Sequence, residues 1–141
     1  MAPVVALLQA GRYAEAEAKA RAVAADRPDE APLALAVAAL ATGAQGRHAE
    51  ALAEYDALLP AYGRAFGAEH PRTLMLRSNR AQTLIALGRH AECEAECAAV
   101  ARAAVRVRGP ERPRMEAAAR NGQIYAVNAQ GRHPEAERLA R

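Results

Sequence analysis

Three side chains stand where a metal ion could use them. His90, Cys93 and Cys97 are spaced three and four residues apart, which on a helix places an imidazole and two thiols on one side. A tetrahedral zinc site needs a fourth ligand, and none lies at a recognisable spacing. The same positions also recur elsewhere in the chain with different chemistry. Cys93 corresponds to Ala16, Ala51 and Ala136, and Cys97 to Ala20, Tyr55 and Ala140. A position that accepts alanine as readily as cysteine fills space, and a buried cysteine behaves as a small hydrophobe. His90 shares its position with His48, His133 and Tyr13, and an exchange with tyrosine fits packing at a helix turn rather than proton transfer. The cysteines are therefore read as core, with no metal and no cofactor. His70, before Pro71, is expected to help start a helix.

Nucleophilic and phosphate chemistry find no better support. No histidine has a nucleophile and an orienting carboxylate at a recognisable spacing. Lys19, the single lysine, has no glycine-rich loop before it, and neither H-E-x-x-H nor G-x-S-x-G occurs. The chain reads as non-catalytic, and its chemistry as recognition; a small enzyme is the weakest alternative.

The elements that must position these residues announce themselves by repetition. GRYAEA at Gly11 returns as GRHAEA at Gly46, GRHAEC at Gly88 and GRHPEA at Gly131, at intervals of 35, 42 and 43 residues. Such intervals suit stacked helical hairpins. A glycine can adopt positive φ and so end one helix and turn tightly into the next. Glu15, Glu50, Glu92 and Glu135 then fall in the first turn of the following helix, where the helix dipole favours a carboxylate. The small residue next in line lets two helices approach closely. Pro134 is tolerated because the first turn of a helix does not use its missing N–H. Helix-compatible stretches precede the later glycines at Ala31 to Ala44, Pro71 to Leu87 and Arg112 to Gln130. Breaks fall at residues 26–29, 67–71 and 109–113, so about eight helices are expected, alternating as A and B four times, with both end helices short.

Composition agrees with an all-α chain. Apolar residues make up 52% of the 141, most of them alanine, while aromatics are 4% and no strand-like alternation appears. Net charge is +3, carried almost wholly by arginine, a pattern that a GC-rich coding habit explains before nucleic-acid binding does. Arg106, Arg108, Arg112 and Arg114 form a local basic stretch, read as an exposed loop between helices. Two cysteines make no disulfide framework. Met1 to Ala10 resembles a helix fragment rather than a signal peptide, and no run approaches the roughly 20 apolar residues of a membrane span. A soluble, cytoplasmic protein is expected.

The recurring phrase, its small residue and the closing prolines resemble the tetratricopeptide repeat. The stretch HPRTLMLRSNRAQTLIALGRHAECEAE, from His70 to Glu96, is similar to the longer kinesin-light-chain-like version found in bacteria. The resemblance implies a right-handed α-solenoid of antiparallel helix hairpins. Four repeats, over 1–28, 29–66, 67–109 and 110–141, would form one domain whose end repeats are truncated. Arg80 and Gln123 depart from the family, which places a leucine there.

The resemblance also implies a function: binding a peptide or a partner's helix in the concave groove lined by the A helices. Met75, Ser78, Asn79, Gln82 and Ile85 would face it in the third repeat, and Asn121, Tyr125 and Asn128 in the fourth. Side-chain amides and hydroxyls there could donate to and accept from a peptide backbone. Leu33, Val37 and Leu40 would make the second-repeat end apolar. A sensor of a signalling peptide and a nucleic-acid binder are the rival readings. Leu7, Leu8 and Leu139 are expected to be poorly covered, which suggests self-association through the ends. Finally, Cys97→Asp should destabilise by about 3 kcal/mol or more, by burying an unpaired carboxylate. Glu96, assigned to the outer face, should tolerate Gln.

Overall fold

A computed structural model describes residues 1–141 and contains eight α-helices and no strand. They are α1 (Ala2–Gln9), α2 (Tyr13–Asp26), α3 (Ala31–Ala44), α4 (His48–Phe66), α5 (Pro71–Ala86), α6 (His90–Ala104), α7 (Arg112–Ala129) and α8 (His133–Ala140). The expected A–B alternation and the short end helices are both present. The sequence-derived limits of α3 agree at both ends, and those of α5 and α7 differ by one residue at the C-terminus.

Each recurring glycine does the same job. Gly11, Gly46, Gly88 and Gly131 have φ between +75° and +85°, the left-handed region that favours glycine. The N–H of the arginine that follows then reaches back to a carbonyl five residues earlier: Arg12 to Leu7, Arg47 to Thr42, Arg89 to Leu84 and Arg132 to Val127. This capping pattern satisfies carbonyls that the helix end would otherwise leave open. The same arginines precede the next helix and pair with the glutamate of its first turn, at 2.6 Å for Arg12–Glu15 and Arg132–Glu135 and 2.7 Å for Arg47–Glu50 and Arg89–Glu92.

The chain forms two compact units, Met1–Tyr62 and Gly63–Arg141. In the first, α1 packs on α2 and α2 on α3. Its core gathers Val4, Ala16, Ala20, Ala38 and Ala41, with Leu7, Leu8 and Val37 half-buried against them. Leu7 and Leu8 are thus better covered than the sequence suggests. Alanines at the seams let the helix axes close in, as Ala51 does against Gly43. Tyr62, at the end of this unit, donates its hydroxyl to the Pro32 carbonyl at 3.2 Å.

In the second unit α5 packs on α6, α6 on α7 and α7 on α8, while α5 also lies beside α7. Leu74, Val100, Ala103, Ala104, Val107, Met115 and Ala119 form its main core cluster. Cys93 and Cys97 are buried, as read, with their sulfurs 3.9 Å apart. Within α4, Pro60 is accommodated at an exposed position at the loss of one helical hydrogen bond.

Both units contain the same polar clasp. In the first, Glu17 of α2 accepts from Gln45 and Arg47, the residues that link α3 to α4. In the second, Glu94 of α6 accepts from Gln130 and Arg132, which link α7 to α8. Each glutamine also donates to the last turn of its own helix, at Ala41 or Ala126. One carboxylate therefore ties a B helix to the turn of the next hairpin.

Candidate functional site

The residues expected to face a partner lie on α5 and α7, and the starts of both helices show why. At α5, His70 is the N-cap: its Nδ1 accepts the Arg72 N–H at 3.1 Å, and Pro71 occupies the first turn. At α7, Pro113 occupies the same kind of position. From these starts the helical repeat places Met75, Ser78, Asn79 and Gln82 on one face of α5, and Asn121, Tyr125 and Asn128 on one face of α7.

Met75, Gln82, Asn121, Tyr125 and Asn128 are exposed, whereas Ser78, Asn79 and Ile85 are half-buried. The side-chain amides of Asn79, Gln82 and Asn121 bond to no other group of the chain. Asn128 is different, because its Oδ1 lies 2.9 Å from Nδ1 of His133 and braces the turn into α8. Tyr125 keeps 52% of its surface exposed while its ring sits 6.1 Å from that of His90. In the first unit, Leu40 of α3 is exposed, and Leu33 and Val37 are half-buried.

The side of α5 turned to α6 corrects one expectation. Glu96 is not on an outer face: its side chain is only 12% exposed. It accepts from Arg77 Nε at 2.5 Å and from Arg80 at 2.9 Å. Arg80, singled out above as a departure from the family, is thus a partner in this ion-pair triad between α5 and α6. Two cations can share one carboxylate because its two oxygens offer about four lone-pair sites. Glu96 therefore holds α6 against α5.

A second feature escaped the sequence reading. Gly122 of α7 is buried, and a Cβ placed there would lie 2.5 Å from the Cys97 sulfur. The glycine brings α7 close to α6 at the level of the two thiols. Gly122 precedes Gln123, the other departure from the family, which is half-buried.

The basic stretch between α6 and α7 divides in two. Arg106 pairs with Glu69 at 2.7 Å and Arg112 with Glu116 at 2.9 Å. Arg108 and Arg114 are exposed and have no partner. Both border a depression at the N-terminal ends of α5 and α7. Its larger part, a cleft of ≈ 700 Å³, is lined by His70, Pro71, Arg72, Met75, Arg108, Glu111 and Met115. An adjoining part of ≈ 270 Å³ shares Met75 and Glu111 and adds Arg114. Of the eight residues of α5 and α7 expected to face a partner, only Met75 borders it.

No group of three or more His, Cys, Asp or Glu side chains is arranged to hold a metal ion, and no helix is long and apolar enough to cross a membrane. Residues 29–92 match the family model of the tetratricopeptide repeat. No curated protein matches the chain.

Proposed function

We propose that this chain, which carries tetratricopeptide repeats, binds a peptide or a partner's helix on the exposed face of α5 and α7. Tetratricopeptide repeats are in general protein-interaction modules and typically non-catalytic. The observation that carries the reading is the set of unengaged amides on Asn79, Gln82 and Asn121, beside the exposed ring of Tyr125. A helical face whose donors and acceptors are not used internally can bond a peptide backbone without first breaking anything. The helices are preformed, so little ordering entropy is lost on the receptor side.

We assign the repeat to the kinesin-light-chain-like subtype on the wording of His70 to Glu96 and on the 42- and 43-residue intervals. Two buried cysteines without a disulfide fit a reducing, cytoplasmic setting. Self-association through the end helices is not part of the proposal, because Leu7, Leu8 and Leu139, on which it was expected to rest, are half-buried.

The test is affinity capture from a lysate of the source cell, run in parallel with Asn79→Ala/Asn121→Ala/Tyr125→Ala. A partner held by the native chain and lost by the triple variant, with its helical circular dichroism unchanged, is the expected result. A partner held equally by both would overturn the assignment to this face.

A further inference from the structure

Cys93 and Cys97 take no part in the proposed peptide-binding face, yet they are the most reactive side chains in the molecule. They lie one turn apart on α6, 0% and 4% exposed, free of any disulfide and with their sulfurs 3.9 Å apart. Across the seam α7 offers them no side chain, since a Cβ on Gly122 would fall 2.5 Å from the Cys97 sulfur. The equivalent seam of the first unit is filled the other way. There Ala16 and Ala20 of α2 are small, and Val37 of α3, at the position that corresponds to Gly122, supplies the bulk. Between α6 and α7 the space is given to two sulfurs instead.

The spacing decides what this pair can do. A disulfide needs Cβ atoms about 3.5–4.5 Å apart, and residues four apart on a helix hold theirs at about 5–6 Å, so closing one would break the helix. A shared ion asks for no such movement. Two metal–thiolate bonds of about 2.3 Å reach at most about 4.6 Å, and sulfurs 3.9 Å apart fall within that reach. The ion must accept two ligands, because no third His, Cys, Asp or Glu is arranged around the pair. A tetrahedral zinc ion lacks the rest of its shell in so dry a seam, whereas soft thiolates suit monovalent copper. Glu96, next to Cys97 in the chain, is engaged by Arg77 and Arg80, so its charge opposes a copper–thiolate anion less than a bare carboxylate would. We propose that Cys93 and Cys97 chelate one cuprous ion between α6 and α7. Two S–H bonds break, two Cu–S bonds form, two protons pass to solvent and no electron moves. The site shares no residue with the α5 and α7 face, so copper binding and peptide binding can fail separately.

The experiment is anaerobic titration of the reduced whole chain against the coloured cuprous complex of bicinchoninate. The native chain should take one copper per chain from the chelator, gain an ultraviolet thiolate-to-copper absorption and melt at a higher temperature. Cys93→Ala and Cys97→Ala should each weaken uptake by about hundredfold or more, since a single thiol loses the advantage of chelation. Both variants should keep the native helical circular dichroism, because alanine stands at both positions in the first repeat, as Ala16 and Ala20. His90→Ala and Asn79→Ala/Asn121→Ala/Tyr125→Ala should take up copper as the native chain does. No uptake from the chelator, undiminished uptake by either cysteine variant, loss of uptake in His90→Ala, one copper held between two chains, or a preference for zinc would each overturn the proposal.

Discussion

At the scale of single residues, the most informative positions are those where one atom decides how closely two helices approach. Gly122 is such a position, since a methyl group there would press on the Cys97 sulfur. Gly122→Ala should therefore cost about 1–2 kcal/mol by overpacking, even though alanine favours the helix by about 1 kcal/mol. In a Cys97→Ala background the clash is gone and the same substitution should turn neutral or stabilising. Urea unfolding of the four proteins of this cycle measures the coupling, and additive effects would show that the two helices do not meet there. Glu96→Gln is the complementary case. It removes the charge that Arg77 and Arg80 share between α5 and α6. A loss of about 2 kcal/mol is expected, and thermal melts against the conservative Glu96→Asp will show whether charge or reach matters more.

At the scale of elements, the clasp that ties a B helix to the next hairpin's turn carries a pH signature. Arg21, with support from Gln45, Arg47 and Thr42, holds the Glu17 carboxyl down to about 2. Arg132 and Gln130 lower that of Glu94 in the same direction. A carboxyl whose pKa is lower folded than unfolded stabilises the fold above the ordinary value of 4.5, and loses that contribution as pH falls toward its folded pKa. Glu17→Gln should cost about 1–2 kcal/mol at neutral pH, a figure reduced from the full shift to allow for solvent screening. The gap between variant and native chain should then narrow steadily from about pH 4.5 to pH 2, read from denaturant midpoints. A gap independent of pH would mean that Glu17 contributes packing and not charge.

At the scale of the whole molecule, the same sign applies many times over. The carboxyls of Glu69, Glu92 and Glu135 are each lowered by an arginine: Arg106, Arg89 and Arg132. As they and the other acids protonate, 19 lysine and arginine side chains and four histidines are left without counter-charge. Stability should be flat above about pH 5 and fall steeply between pH 4.5 and 2, with added salt softening the fall. Calorimetric melting temperatures across that range are the check, and a protein that melts no earlier at pH 3 than at pH 7 would contradict the weight placed on these pairs.

Much of this was legible in the sequence because a repeat states its own rules several times. Four glycines at matching positions marked the helix ends, and the alignment of Cys93 with Ala16, Ala51 and Ala136 marked a core seam, since backbone geometry and residue volume are local properties. By themselves the residues determined the all-α class, the number of helices, the limits of α3, α5 and α7 to within a residue, the burial of the cysteines and the starting position of each histidine. What they could not determine was which side chains cross from one helix to another. Glu96 looked like an outer-face residue until α5 brought Arg77 and Arg80 against it, and nothing in the sequence marked Gly122 as the place where α7 meets Cys97. Arg108 and Arg114 read no differently from Arg106 until Glu69, 37 positions away, had claimed Arg106. Helix ends depend on neighbours within a few residues, whereas partners 16 to 37 positions apart meet only once the helices have packed, and charge pairing is settled by that meeting.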